Sequence, residues 1–205
     1  MRVLRLLIAL LLIVLVLGLS LCTKPEWSGP LEGQVIDATT RQPIADAIVV
    51  VNWQIKGLEG FPGGQLAIFE RVTDAQGRFE TDRWGPRLGP GGMLSLQQVD
   101  PSAPNVWIFK NGYEPLRVLG FGQAHSHPVD GPILPLQRYE GALSDYASQV
   151  EMFWSTPGFN LTIRCEWREA TRLFTAMVQL HAELQAAGVE NSLPRELPVC
   201  EPGAR

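Results

Sequence analysis

Histidine and cysteine are scarce in this sequence, and both scarcities limit the chemistry that it can support. Its 205 residues include three histidines and three cysteines. The sequence also lacks the Gly-x-Ser-x-Gly, His-Glu-x-x-His and phosphate-loop motifs, which mark nucleophile elbows, zinc peptidases and nucleotide sites. We therefore predict no catalytic residues, no cofactor and no enzyme activity.

An excess of basic residues is also missing. The chain has 17 lysines and arginines against 21 acids, a net charge of -4. Without Arg2 and Arg5 of the N-terminal segment, 15 bases remain against 21 acids, a net charge of -6. An acidic domain gains nothing from the release of phosphate counterions, so nucleic acid is excluded as a partner.

The first 22 residues have the pattern of an export segment. Two arginines and no acid occur in Met1 to Arg5, and Leu6 to Leu17 is unbroken apolar sequence. A positive start before an apolar run enters the translocon with its N-terminus held inside. As a helix, Leu6 to Cys22 would span about 25 Å, slightly less than the roughly 30 Å of a bilayer core.

Three interpretations of residues 1–22 stay open. They form a retained membrane anchor, or a cleaved signal peptide with Ser20 and Cys22 at the -3 and -1 positions of the cut. The third is a lipoprotein signal, because Leu19-Ser20-Leu21-Cys22 resembles a bacterial lipobox. All three predict membrane contact through residues 1–22 and a location in the cell envelope. The chain would be either anchored in the inner membrane facing the periplasm or secreted to the periplasm.

Cys165 and Cys200 are the two cysteines that follow the leader. A helix of about 20 residues between them would be roughly 30 Å long. The 12 residues from Gly188 to Cys200 can return over that length at about 3.3 Å per residue. We predict a disulfide between them, suited to an oxidising compartment, with two unpaired structural cysteines as the alternative.

The central composition favours β-structure. Twenty glycines and 16 prolines indicate frequent turns and therefore an antiparallel sandwich of about seven short strands. Residues Trp84 to Gly92 are predicted to be a loop rich in proline and glycine. The candidate strands are Glu32–Asp37, Ala47–Trp53, Ala67–Thr73, Arg78–Thr81, Met93–Val99, Val106–Lys110, Tyr113–Leu119 and Gly131–Leu136.

Four short patterns occur in order within residues 31–136. They are Gly33-x-Val35-x-Asp37, Pro43-Ile44-x-x-Ala47-x-Val49-x-Val51, Thr73-Asp74-x-x-Gly77-x-Phe79 and Gly112-Tyr113-Glu114-Pro115. Together they resemble the carboxypeptidase regulatory-like domain found in proteins of the bacterial envelope. The resemblance implies a transthyretin-like β-sandwich and a non-catalytic module, and it names no ligand.

The segment Val51-Asn52-Trp53-Gln54, followed by Thr73-Asp74-x-x-Gly77, also resembles the intradiol ring-cleaving dioxygenases. The resemblance implies an iron held by two tyrosines and two histidines, with a His-x-His pair just before the Gly-Tyr turn. Asn105 and Trp107 stand at about that place, and neither replaces an imidazole as an iron ligand.

Two further side-chain groups are candidate sites. His125, His127 and Asp130 could hold a metal, because residues two apart in extended chain point the same way; the alternative is a pair of solvated loop histidines. Trp84 is a candidate for stacking on a sugar, with burial in the core as its alternative.

The C-terminal segment, residues 141–205, has helical composition. Helices are predicted over Gly141–Ser155 and Thr162–Ala187, with Thr162 or Asn160 capping the second and Gly188 ending it. One apolar stripe on the second helix is expected to pack on the sandwich, or else on a partner protein. Its members are Trp167, Ala170, Phe174, Met177, His181 and Leu184.

These patterns predict a mainly β fold with a helical C-terminal appendage. The expected function is a non-catalytic interaction or structural module of the envelope, with another envelope protein or a glycan as partner. The alternatives are a carbohydrate-binding module at Trp84 and a metal-dependent enzyme around His125 and His127.

Overall fold

The computed structural model describes residues 8, 10–12, 23–57, 62–90, 98–100, 103–121, 132–162 and 164–200. In the leader, Ile8 and residues 10–12 are helical and exposed. Within the described ranges, no helix has both the length and the apolar character needed to cross a bilayer.

The described residues form ten strands. The strands are β1 (Thr23–Ser28), β2 (Glu32–Asp37), β3 (Ile48–Lys56), β4 (Pro62–Val72), β5 (Arg78–Glu80), β6 (Trp84–Pro90), β7 (Gln98–Val99), β8 (Asn105–Phe109), β9 (Leu116–Val118) and β10 (Ile133–Leu136). They make a three-stranded sheet in the order β10-β2-β5, a five-stranded sheet in the order β4-β3-β8-β9 with β7 beside β3, and the pair β1-β6. The fold is mainly β, as predicted, but the strands are more numerous than seven.

One strand pair departs from the predicted antiparallel arrangement. β10 runs parallel to β2, with Leu134 opposite Val35, while every other pair in the described part of the chain is antiparallel. A parallel partner cannot be reached through a tight hairpin. Strands β3 to β9 lie between β2 and β10 in the chain, so the crossover runs through the rest of the sandwich.

β3 is buried on both faces, and two hydrophobic cores meet across it. Val49 and Val51 lie in the core between the two larger sheets, whereas Val50 lies in a second core beneath the helices. Side chains alternate between the faces of a strand. A strand covered on both sides therefore requires the continuous β-branched run that this segment shows.

The predicted loop at Trp84–Gly92 is largely strand. β6 pairs with β1 in antiparallel register, with Lys24 opposite Gly89. The prediction was wrong because proline and glycine are tolerated where a strand has only one partner, and β6 pairs only with β1 among the described strands.

The turn at Asp74–Gly77 agrees with its sequence signal. The Asp74 Oδ1 atom accepts hydrogen bonds from the backbone N–H groups of Gln76 and Arg78, at 2.9 and 2.8 Å. Gly77 has a φ of 70°, and a Cβ there would lie 2.3 Å from the Val35 carbonyl oxygen. Glycine is therefore required by both the backbone conformation and the close approach of β2.

The helices form as predicted, but their boundaries differ. Helix α1 spans Leu143–Thr162 and continues through Pro157. A 3-10 helix (Glu166–Ala170) and helix α2 (Thr171–Ala186) follow. Asn160 and Thr162 therefore both belong to the end of α1, and neither caps α2. Between the helices Cys165 has a left-handed conformation, with φ 57°.

The apolar stripe of the C-terminal segment packs on the sheet, as expected. Phe174 and Met177 are fully buried in the same core as Trp107 of β8. His181 is also buried, and its Nδ1 atom lies 2.7 Å from Asn191 Oδ1. Gly188, with φ 77°, ends α2 as predicted.

The predicted disulfide is present between Cys165 and Cys200. After Gly188 the chain returns along the helical layer, and Leu193 is buried in the helical core on the way. The Trp167 indole N–H lies 3.1 Å from Cys200 Sγ. The bond thus ties the start of the 3-10 helix to the end of the described chain.

Candidate functional site

The predicted metal site cannot be placed, because His125, His127 and Asp130 lie outside the described residues. Within the described ranges, no group of three or more histidine, cysteine or acidic side chains is arranged to hold a metal. The metal-dependent alternative therefore stays a prediction.

Trp84, the predicted sugar platform, is 5% exposed. Its ring packs edge-on against Trp53, with 5.4 Å between the ring centroids, and Arg87 lies over it at 5.9 Å. Burial of this kind does not favour stacking on a sugar. Trp27 is 72% exposed, while Trp53 and Trp107 are buried.

Asn105 and Trp107, at the place expected for dioxygenase histidines, are buried on the side of β8 that faces the helices. Asn52 of β3 is the register partner of Asn105. The side-chain amide atoms of both asparagines are buried and have no hydrogen-bond partner among the described residues. The space between the five-stranded sheet and the helices is therefore polar at this point, in contrast to the apolar packing around Trp107.

Asp37, Tyr113 and Arg138 meet at one end of the sandwich. The Tyr113 hydroxyl donates to Asp37 Oδ2 at 3.2 Å and accepts from Arg138 Nη2 at 2.7 Å. Asp37 Oδ1 accepts from the backbone N–H groups of Thr39 and Thr40. The Thr40 N–H is the main reason that the pKa of Asp37 lies below its ordinary value of 3.8. The contact joins the first and last patterns of the sequence resemblance.

Replacing Tyr113 with phenylalanine is expected to lower the free energy of unfolding by about 1–2 kcal/mol, because the Asp37 carboxylate loses a buried donor. Denaturant titration of full-length protein in mild detergent measures the change. Tyr139→Phe is the matched control: its hydroxyl donates to the Ala142 carbonyl in an exposed position, so we expect a change within about 0.5 kcal/mol. Equal effects of the two substitutions would contradict the assignment.

An opening lies along the outer edge of β4, and we call it the β4 groove. Its volume is about 530 Å³, within the roughly 300–1,000 Å³ typical of small-molecule sites. β4 ends the five-stranded sheet, and the 3-10 helix forms the opposite wall. The lining residues are Gln65, Leu66, Ala67, Ile68, Phe69, Glu70, Arg71, Arg87, Glu166, Arg168 and Glu169.

A β-bulge at Leu66 shapes this edge. Trp53 pairs with Ala67 and the next residue, Gln54, pairs with Gln65, so Leu66 is the extra residue. Leu66 and Ala67 consequently both lie in the sandwich core. The bulge leaves Gln65 opposite Gln54, next to the 3-10 helix, because it interrupts the usual alternation of faces.

Two arginines cover backbone carbonyls at this edge. Arg87 Nη1 donates to the Leu66 carbonyl, and Arg71 Nη1 donates to that of Glu70. Arg71 also forms an ion pair with Asp82. Charged side chains that occupy edge carbonyls oppose pairing with another strand. The groove therefore favours a ligand that contacts its side chains over a strand that pairs with the β4 backbone.

Glu70 fixes the helical wall to β4. Its Oε2 atom accepts from the Arg172 N–H at 2.9 Å, and its Oε1 atom accepts from the Leu173 N–H at 2.8 Å. The residue before α2 is Ala170, which makes no side-chain cap. A strand residue about 100 positions earlier thus accepts hydrogen bonds from the otherwise unpaired N–H groups at the start of α2. Its negative charge there also complements the helix dipole.

Glu70→Ala is therefore expected to lower the free energy of unfolding by about 1–2 kcal/mol, the usual contribution of a helix cap. Glu70→Gln should lower it less, since one acceptor oxygen remains. Chemical unfolding compares both with Glu80→Ala, an exposed change on β5 that should stay within about 0.5 kcal/mol. If Glu70→Ala behaves like Glu80→Ala, Glu70 is not the cap.

Gln65 and Glu166 line the groove and carry polar atoms without a hydrogen-bond partner among the described residues. Both amide atoms of Gln65 and the Oε2 atom of Glu166 are buried and have no hydrogen bond within the described part of the chain. Burial raises the pKa of Glu166, although the Gln65 backbone N–H and the Arg164 guanidinium oppose the rise. The Gln65 side chain also favours the charged carboxylate without making a hydrogen bond of normal geometry.

The raised pKa of Glu166 gives a pH-dependent prediction. A carboxyl with a higher pKa in the fold stabilises the fold only while protonated, so its contribution is lost as pH rises from about 4.5 through the folded pKa. Glu166→Gln should therefore become progressively more stable than wild type over that range. Unfolding measured from pH 4 to 8 tests this, and a constant difference between the two proteins would contradict it.

The sequence analysis missed the β4 groove. Gln65, Arg87 and Glu166 belong to three separate segments, and none is part of a motif. The signal available was Gly63-Gly64 before a strand candidate, since glycine in a strand often marks a bulge.

Comparison with known proteins does not assign a family. No protein-family model and no curated protein matches the chain. Among solved structures, 3-chlorocatechol 1,2-dioxygenase from Rhodococcus opacus 1CP is similar at 21% identity, with a TM-score of 0.30. The similarity covers 48% of this chain and 46% of that enzyme, and at this extent it carries no argument about fold or function.

Proposed function

We propose that this protein is a non-catalytic binding module of the cell envelope, tethered by or released from residues 1–22, and that it takes up its partner in the β4 groove. The sandwich is then of the carboxypeptidase regulatory-like, transthyretin-like type. The contact of Asp37 with Tyr113, which joins the first and last patterns of that resemblance, supports the assignment.

One observation carries the proposal. Gln65 and Glu166, which line an open groove, carry buried polar atoms without hydrogen-bond partners among the described residues. Buried polar groups in proteins are nearly always hydrogen-bonded, so a group left unpaired beside an opening is explained by a ligand or by ordered water. The Glu70 cap joins the two groove walls, and the disulfide restrains the 3-10 helix, so the site is preformed.

The disulfide between Cys165 and Cys200 supports an envelope location. Disulfides persist in oxidising compartments and are rare in the cytosol. The basic and apolar leader points to the same compartment.

The binding role is tested with a steric block at the rim of the groove. Full-length protein in mild detergent is immobilised and exposed to washed envelope material from the producing cells. Arg168→Trp fills the rim, and Arg78→Trp places the same side chain at an exposed position on β5. We expect Arg168→Trp to retain about tenfold less material than wild type, equivalent to about 1.4 kcal/mol, and Arg78→Trp to retain the wild-type amount.

Equal retention by the two tryptophan variants would remove the β4 groove as the binding surface. Recovery of the protein from cytosol with Cys165 and Cys200 as free thiols would remove the envelope location.

A further inference from the structure

The chemistry of the β4 groove limits what can occupy it. Its lining residues carry three arginines and three glutamates, so its formal charges balance. Several of these charges also have partners in the protein. The Glu70 carboxylate caps α2, Arg71 pairs with Asp82, and Arg87 bonds to the Leu66 carbonyl. With no net charge in its lining, the groove favours neither anions nor cations as a class.

The unpaired atoms of Gln65 and Glu166 need both donors and acceptors. Gln65 Nε2 is a donor and Gln65 Oε1 an acceptor, and Glu166 Oε2 accepts when the carboxyl is ionised. A hydroxyl group donates one hydrogen bond and accepts others. Neighbouring hydroxyls on one molecule can therefore satisfy the amide and the carboxyl together.

Apart from Gln65 and the charged side chains, the lining residues are apolar. A sugar needs such contacts for the faces of its ring, while its hydroxyl groups make hydrogen bonds. Leu66, Ala67, Ile68 and Phe69 contribute to the walls. The Phe69 ring is held edge-on against Trp53 with 5.8 Å between centroids. The groove therefore offers some apolar contact beside a lining that is mostly polar.

From these observations we propose that the β4 groove binds a neutral polyhydroxylated ligand, a carbohydrate, through the Gln65 carboxamide and the Glu166 carboxyl group. The inference rests on the proposed function and names the ligand class of that site. It places sugar recognition at Gln65 and Glu166 and not at Trp84, which lies buried behind Arg87.

Direct binding tests the ligand class. Full-length protein is held in a polyoxyethylene detergent, because alkyl glycoside detergents carry sugars themselves. The probes are neutral oligosaccharides of glucose, galactose, mannose and N-acetylglucosamine, with uronic acid and glucosamine oligomers as anionic and cationic counterparts. Saturation-transfer NMR and calorimetry give the affinities. We expect at least one neutral probe to bind more tightly than both charged classes.

The binding should depend on the two unpaired side chains. Gln65→Leu/Glu166→Leu is expected to weaken binding of the neutral probe by about tenfold or more, since its hydroxyls lose their partners. The matched control Gln76→Leu/Glu80→Leu makes the same changes at exposed positions on and before β5 and should bind like wild type. Should the groove variant fail to fold by circular dichroism, Arg168→Trp provides the same comparison from an exposed position.

The outcomes separate this inference from the proposed function. Binding of a charged probe alone, lost in the groove variant, would overturn the ligand class and leave the binding module standing. Periodate cleaves vicinal diols. If envelope material is retained in a way that depends on Arg168 but survives periodate oxidation, the ligand class is likewise overturned and the binding module stands. Retention that survives protease and is lost after periodate supports the inference. Retention independent of the groove removes both.

Discussion

Phe174→Ala should lower the free energy of unfolding by about 3–5 kcal/mol, the range for removal of a fully buried aromatic ring. Phe174 is 0% exposed and lies at the centre of the helical core. Its ring makes an edge contact with Trp154 of α1 at 4.6 Å and a tilted contact with Trp167 of the 3-10 helix at 5.8 Å. One substitution therefore weakens the contact between all three helical segments and leaves a cavity beneath them.

Phe159→Ala is the matched control for this prediction. Phe159 is on α1 and 59% exposed, so the same change should stay within about 0.5 kcal/mol. Denaturant titration of full-length protein in mild detergent measures both. A loss at Phe174 no greater than that at Phe159 would show that the helical layer does not depend on this core.

The second large effect concerns the disulfide. Cys165→Ser/Cys200→Ser is expected to lower the free energy of unfolding by about 3–4 kcal/mol, from the loop entropy that a crosslink removes from the unfolded chain. The crosslinked residues are 35 positions apart in sequence. Reduction of wild type should reproduce the loss, and the double variant should be insensitive to reductant. An unfolding midpoint unchanged by either treatment would contradict this account.

The disulfide is also expected to influence binding, because Cys165 immediately precedes Glu166 in the groove wall. Cys165 adopts φ 57°, a conformation that is unfavourable for a residue with a side chain. The Glu70 cap holds the end of the 3-10 helix against β4. The bond to Cys200 fixes the start of that helix to the C-terminal tail. The proposed site is thus built on fixed elements, and this limits the ordering that a ligand would otherwise require.

Several local features could be predicted from the sequence because neighbouring residues decide them. The bounds of β2, Glu32–Asp37, are as predicted. The turn at Asp74–Gly77 forms through the Asp74 carboxylate and the positive φ of Gly77. In each case the side chain and the backbone it supports are within a few positions of each other, so the physics is contained in the local sequence.

The turn at Asn111–Gly112 shows where local reasoning becomes insufficient. Asn-Gly predicts a type I′ hairpin, which requires positive φ at both residues. Here Gly112 has φ 81° and Asn111 is not among the described residues with positive φ. The Tyr146 hydroxyl on α1 bonds to the Gly112 N–H, and Glu183 on α2 accepts from the Asn111 side chain. Contacts from α1 and α2 thus accompany a turn that is not of type I′.

By itself, then, the sequence determined the mainly β architecture, the apolar stripe of α2 and the pairing of Cys165 with Cys200. These depend on periodicity, composition and chain length. The tertiary structure alone decided the pairing of β6 with β1, the parallel β10, the bulge at Leu66 and the capping of α2 by Glu70. Each of these joins segments far apart in sequence, whose encounter depends on the packing of the whole chain, and the β4 groove with Gln65 and Glu166 exists only where they meet.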